Sequence, residues 1–311
     1  MKISKYSSLI ILFGALLGFI WPHPGILLRP LLNILLMILI FLSCLEIDLN
    51  KIWQTFKKPK LIFLELLIVH LASPILIFIF LKPFIQPELF LGLILVTTVP
   101  VGRSAVFLSN LFGGLPEKAL IISSLSNLIS PIVLPLITYY FARSTIKFDA
   151  IEMGSSITII IVIPFFLALI FKHFNLIKKI INYQTDISTI LVAIIVWGII
   201  APIHSQITSH FYLSLILTIL SLVLMSINFG LGYLLGSSQP EKITYAISAT
   251  YKNYSLATII ASLTFPGAIM VTLPSLIYSI SNNILLLPLQ FLLKLNNEHS
   301  NHRLQLSSVC R

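Results

Sequence analysis

The sequence predicts an all-α polytopic membrane protein of about ten transmembrane helices, arranged as two inverted five-helix repeats, with helices 4 and 9 broken at mid-membrane. Three observations carry this. The 311 residues are 57% hydrophobic and only 10% charged, with a mean hydropathy of +1.01, too little polar surface for a soluble domain of this size. The apolar runs are continuous and roughly twenty residues long, as a helix needs to cross a bilayer, whereas barrel strands alternate over about ten. Finally, two interrupted apolar stretches stand in corresponding halves with one spacing: Asn110 to Pro131 and Asn253 to Pro274 are each 21 residues. Such paired interruptions are the best pointer a sequence gives to a transporter binding site.

Ten spans follow, at about 6–21, 25–45, 61–81, 88–110, 118–141, 154–172, 187–203, 211–236, 243–265 and 267–293. The first run resembles a signal peptide in its charge and length. It lacks a small-x-small cleavage site, however, and Trp21-Pro22-His23-Pro24 is a poor one, so it reads as the first span. The segment 143–152 separates span five from span six. The chain therefore divides into 1–145, the first five-helix repeat, 146–295, the second and inverted repeat, and 296–311, a polar cytoplasmic tail. Cys44 and Cys310 supply neither a disulfide framework nor a metal spacing.

A net charge of +10 suggests nucleic acid in a soluble protein. Here the bases flank apolar spans, so they read as topology signals and lipid-headgroup contacts, with no nucleic-acid partner. Fourteen lie on one side of the predicted membrane and four, Arg29, Lys82, Arg143 and Lys147, on the other. That bias puts both termini in the cytoplasm of a multi-pass inner-membrane protein. A split after five spans then inserts the halves with opposite orientation, a transporter arrangement.

The remaining two bases, Arg103 and Lys252, lie inside spans. Arg103 stands roughly 22 Å into span four, just after the helix breakers Pro100 and Gly102. A half-helix starting there aims free N–H groups and a positive dipole end into a cavity beside a guanidinium, which makes an anion site. The alternative is a structural arginine satisfying carbonyls freed by the break. Lys252 stands roughly 14 Å into span nine, and a lysine at that depth must pair, snorkel or lose its proton. Ser123 and Asn127 are four apart and share a helix face. Alone they are ordinary interhelical hydrogen-bonders; beside Ser109, Asn110 and Asn253 they are candidate ligands of a hard cation, which wants oxygens. Among the acids, only Glu65 lies clearly within a span, and it reads as an interfacial carboxylate snorkelling toward Lys60. His70 reads as a helix–helix contact, with a proton relay as the alternative. Tyr251, Tyr254 and Phe107 read as packing, or as cavity lining if turned inward.

The block Ser109-Asn110, Ser123, Asn127, Ser130-Pro131 resembles the fourth and fifth helices of the bile acid:sodium symporter family. The block Asn253 to Ala257, then Pro274, resembles its ninth and tenth. The resemblance is specific over about 88–140 and 240–290. It implies a core domain and a panel domain, helices 4 and 9 crossing at their broken centres, and small organic anions as substrates. It also implies a first sodium site on Ser109, Asn110, Ser123, Asn127 and Ser248. The family's acidic residue stands at the place of Ser248, and its helix-nine glutamine at Lys252; a helix-three glutamine falls at or beside His70. Serine and lysine together carry the net charge of glutamate and glutamine loaded with two sodium ions. A second sodium site is therefore absent by this comparison, and Lys252 stands in for the bound cation.

The expected function is a secondary transporter of a small organic anion, with Arg103, Asn253 and His70 as candidate substrate-binding residues. Its partners are that anion and the bilayer, and it needs no cofactor beyond a possible sodium ion. The alternative on the same fold is proton-linked or sodium-independent transport. An intramembrane enzyme is disfavoured by the lack of HExxH, paired aspartates or a Ser/His pair on facing breaks. A sensor gives no reason for two broken helices, and a channel does not need repeat symmetry.

Overall fold

A computed structural model describes residues 7–45, 59–102, 104–143, 146, 149–174, 183–205, 211–265, 268–282 and 285. Arg103, the connection at 51–58, the loop at 175–182 and the tail at 296–311 lie outside the described residues. Those described are all-helical but for one isolated β-bridge. In chain order the helices are α1 (Ser7–Ile20), α2 (Pro22–Leu27), α3 (Leu32–Cys44), α4 (Pro59–Phe80), α5 (Pro87–Thr98), α6 (Ser104–Leu111) and α7 (Pro116–Ala142). There follow α8 (Ala150–His173), α9 (Gln184–Ile200), α10 (Phe211–Leu235), α11 (Gln239–Thr250), α12 (Tyr254–Thr264) and α13 (Ile269–Asn282).

Four of these, α4, α7, α8 and α10, are long and apolar enough to cross a membrane, by length and composition. Their outward faces carry exposed apolar side chains, among them Ile79, Ile132, Leu136, Ile159, Phe166 and Ile216. A water-soluble surface does not tolerate so extensive an apolar exposure, and lipid does.

Local chemistry sets the ends. Pro87 and Pro116 open α5 and α7 in the first turn, where a missing N–H costs nothing. Asp149 caps α8 by accepting from the Ile151 and Glu152 amides at 2.8 and 3.2 Å, and Lys172 and His173 close it. Within α4 the residues Ile68–Ala72 form a π turn immediately before Pro74. Proline has no N–H to offer the carbonyl four residues back, so the helix widens there and frees backbone oxygens. Helix α5 stops at Thr98 because Val99, preceding Pro100, is driven out of the helical region to φ −57°, ψ 154°.

Helix α5 is central: every residue from Leu89 to Thr98 is buried. Helices α4 and α7 pack against it and, with α6, α10 and α11, form one group; α1, α3, α8 and α9 form a second through the α1–α9, α3–α8 and α3–α9 contacts, and α8 also packs on α7 of the first. Helix α12 reaches from the first group to the second, touching α3, α5, α8 and α9. Close helix approach relies on missing side chains. A Cβ on Gly232 of α10 would stand 2.5 Å from the Tyr245 carbonyl of α11, and one on Gly14 of α1 would stand 2.4 Å from the Ala193 carbonyl of α9.

Candidate functional site

The two interrupted stretches meet. Residues 99–103 separate α5 from α6, and residues 251–253 separate α11 from α12; the breaks cross as a single antiparallel bridge between Val101 and Lys252. The Gly102 amide donates to the Tyr251 carbonyl at 2.8 Å, and the Asn253 amide donates to the Pro100 carbonyl at 2.8 Å. Gly102 is required by the approach itself. A Cβ there would lie 2.6 Å from the Lys252 carbonyl oxygen, which is backbone and cannot swing aside.

Backbone broken inside a membrane protein must find partners among side chains. Helix α7 supplies them for Val101. Its N–H donates to Ser126 Oγ at 3.1 Å, while its carbonyl accepts from Ser123 Oγ at 3.2 Å and Asn127 Nδ2 at 3.1 Å. His70 continues the chain: its Nδ1 lies 2.6 Å from the Thr98 carbonyl and its Nε2 lies 3.0 Å from Ser126 Oγ. A carbonyl only accepts, so Nδ1 carries the proton. The Ser126 hydroxyl then donates to Nε2 while accepting from Val101, and every group is satisfied. Asn253 caps α12, its Oδ1 accepting from the Leu256 amide at 3.1 Å.

Lys252 is the cation at this crossing among the described residues. It is 4% exposed, and its Nζ donates to the carbonyls of Val69 and Thr97. Both oxygens are there for a local reason: Val69 lies in the π turn, and Thr97 lies in the last turn of α5, whose carbonyls have no helical donor. One ammonium thus ties α4, α5 and the α11–α12 break together.

Glu65 lies within electrostatic reach of this cation, and not at the membrane interface as its sequence position suggests. The carboxylate does not snorkel toward Lys60. It is completely buried, and neither oxygen has a hydrogen-bond partner among the described residues. It lies close enough to Lys252 for each to feel the other's charge. Helical rotation turns it inward, which a hydropathy profile cannot reveal; its standing as the one acid well inside a span was the available signal.

The remaining predicted residues divide. Ser123, Asn127, Lys252, Asn253 and His70 are gathered at the crossing. Ser109 lies five residues along α6, roughly 8 Å from its start. There its hydroxyl is 3.3 Å from Thr244 Oγ1 and its carbonyl accepts from Gly114. Asn110 is exposed. The structure gives neither a hydrogen bond to Ser123 or Asn127. Thr244, which the sequence did not single out, also accepts from the Leu115 amide at 2.7 Å, so this group fastens the α6–α7 turn to α11. Ser248 lies one turn before Lys252, fully buried, with its hydroxyl unpartnered among the described residues. Tyr251 and Tyr254 are buried packing residues, whereas Phe107 is half exposed.

A cavity of about 360 Å³ opens where α12 and α13 meet the start of α3 and the end of α9. Arg29, Asn33, Thr258, Ser262, Phe265 and Thr272 are among its lining residues. No carboxylate pairs with Arg29 among the described residues. The volume suits a small ligand, and the lining is mostly apolar with a few polar groups, as ligand sites are.

Helices that break, cross, and hold a buried charge at the crossing define a membrane transporter. A model of the sodium bile acid symporter family matches residues 33–212, more than half of the chain, and the chain belongs to that family. It is also 24% identical over 298 residues to a protein of Bacillus subtilis (strain 168) described as "Uncharacterized sodium-dependent transporter YocS", covering 91% of this chain and 90% of that one. The protein is a multi-pass membrane transporter and not an enzyme.

Proposed function

We propose that the protein moves a small organic anion by alternating access, and that Lys252 takes the place of a bound sodium ion. The observation that carries this reading is the Lys252 ammonium held by the Val69 and Thr97 carbonyls at the helix crossing. Carbonyls freed by a broken or widened helix are what binds a hard cation in transporters of this architecture. Here a tethered ammonium occupies such a place. Ser123 and Asn127, expected as sodium ligands, instead direct their donors at Val101, which supports a clamp role.

Ten spans in two inverted repeats, 1–145 and 146–295, accommodate these elements. The charge bias assigns both termini, with the tail 296–311, to the cytoplasm of an inner-membrane protein. The group α4–α7 with α10 and α11 corresponds to the core, and α1, α3, α8 and α9 to the panel. The cavity beside α12 and α13 supports an anion with an apolar body, because Arg29 offers a guanidinium with no carboxylate partner among the described residues and Phe265 an apolar wall. Arg103, which follows Gly102 in the sequence, is the second cation proposed for the anion's path, and Asn253 and His70 are proposed as polar groups on that path.

The reading is tested by thermal stabilisation of the purified protein over a panel of carboxylates and sulfonates, with sodium or choline as the only monovalent cation. A ligand that binds the native state raises Tm. At least one anion is expected to do so equally in both salts, and Arg103→Gln is expected to weaken that effect about tenfold in concentration, the loss of about 1.4 kcal/mol. Stabilisation by no anion, or only with sodium present, contradicts the reading.

A further inference from the structure

Glu65 has no part in the crossing's hydrogen bonds, yet it is fully buried and both its oxygens lack a donor among the described residues. A carboxylate taken out of water without a hydrogen bond is among the most costly groups a protein holds. Its charge must be met by an opposite charge or removed by a proton. The surroundings narrow the choice. Lys252, from the α11–α12 break, is the facing cation, but its ammonium is engaged by the Val69 and Thr97 carbonyls. His70, on the same helix, has both ring nitrogens engaged, by the Thr98 carbonyl and the Ser126 hydroxyl. From α11, Tyr245 is the phenol within electrostatic reach of the carboxylate. Helix α7 contributes Lys118, which is paired with Glu241 of α11 at 2.6 Å. Helix α10 contributes Tyr233, which donates to Gln239 and lies under Lys242. None of these gives Glu65 a hydrogen bond.

We propose that Glu65 is a proton-binding site, and that Glu65 and Lys252 together couple the movement of one anion to one proton. The proposal rests on the transporter reading and deepens it by naming the coupling ion. With no solute bound, ionised Glu65 balances Lys252 and the buried pair is neutral. An anion arriving at the crossing takes the Lys252 charge for itself, and Glu65 then binds one proton from water, its carboxylate becoming a carboxylic acid. The loaded site is again neutral, and release of the anion returns the proton. A metal cation serves this role poorly, because it needs several converging oxygens. A proton needs one.

Proton binding is measurable without any solute, so this test is separate from the stabilisation panel. Infrared difference spectra are recorded between acid and alkaline buffers on the full chain in lipid nanodiscs, in choline salts. The unmutated protein is expected to show the carboxylic-acid C=O band of a buried acid. Glu65→Gln should lose it, Glu65→Asp should keep it at a displaced frequency, and Glu241→Gln should leave it unchanged. Lys252→Met should move the pH at which it forms. If Glu65→Gln does not fold, Glu65→Asp decides, because an undisplaced band then belongs to another residue. A band that survives in Glu65→Gln overturns the proposal. So does a band abolished by replacing choline with sodium, which would mean that the carboxylate holds a metal ion. A transporter reading that fails gives a different signature: the band is present and no anion stabilises the protein.

Discussion

Lys252→Met is expected to abolish sodium-free anion uptake and to lower Tm by several degrees. The ammonium is the donor to two buried carbonyls on two different helices, Val69 on α4 and Thr97 on α5. Methionine fills much of the volume but donates nothing. Leaving buried acceptors unpaired costs about 1–3 kcal/mol each, offset in part by no longer burying the charge. Glu65 also loses its facing cation, which adds to the cost wherever it remains ionised. Transport is affected separately from stability, since the cation that meets the anion is gone. The double variant Ser248→Glu with Lys252→Gln, which installs the acid and the amide that the resemblance implies for these places, is expected to regain uptake only when sodium is supplied. Uptake by proteoliposomes and thermal unfolding of the same preparations check both parts. Normal sodium-free uptake by Lys252→Met means that the lysine is only structural.

Gly102→Ala is the second large effect. A methyl group there would stand 2.6 Å from the Lys252 carbonyl oxygen and 2.9 Å from its carbon, well inside contact distance. Both are main chain, so relief requires the two breaks to separate. Separation threatens the bonds from Gly102 to Tyr251 and from Asn253 to Pro100, and it moves Lys252 away from its carbonyls. Overpacking of this kind typically costs about 1–3 kcal/mol, and transport should fall at least tenfold because the geometry of the crossing is the site. Gly230→Ala is the control. Gly230 lies inside α10 with nothing within 4 Å of an added Cβ, so alanine is expected to stabilise by roughly 0.5–1 kcal/mol and leave transport intact. Equal effects of the two substitutions would mean that the crossing is not close-packed.

What the sequence disclosed follows from what each residue type does without its neighbours. The break at Pro100 to Gly102 was legible because proline and glycine interrupt a helix locally. The break at Tyr251 to Asn253 contains neither, and it was legible through the polar pair Lys252-Asn253 inside an apolar run and the matched 21-residue spacing in the two halves. Ser123 and Asn127 were placed on one face by their four-residue separation, and that face does meet the crossing. Their partner was not legible, because it is the carbonyl of Val101, and any residue has a carbonyl. The same holds for Val69 and Thr97 under Lys252. Ser109 and Asn110 look like site residues by motif, but the break precedes them by two helical turns and α6 carries them away from the crossing. Glu65 was misjudged because apolar runs report depth and not rotation about the helix axis. Arg29 was counted as a topology signal, while its place in a cavity depends on α12 and α13 some 230 residues later.

The central claim is that a tethered ammonium replaces sodium in a carrier of organic anions. The most direct measurement is uptake into proteoliposomes of the carboxylate that stabilises the protein most, with all sodium replaced by choline, at two pH values. The account predicts uptake within about twofold of that in sodium, a difference of at most about 0.4 kcal/mol, and faster uptake when the outside is the more acidic side. A strict requirement for sodium in the unmutated protein would contradict it, and would return Ser109, Asn110, Ser123 and Asn127 to the role of ion ligands.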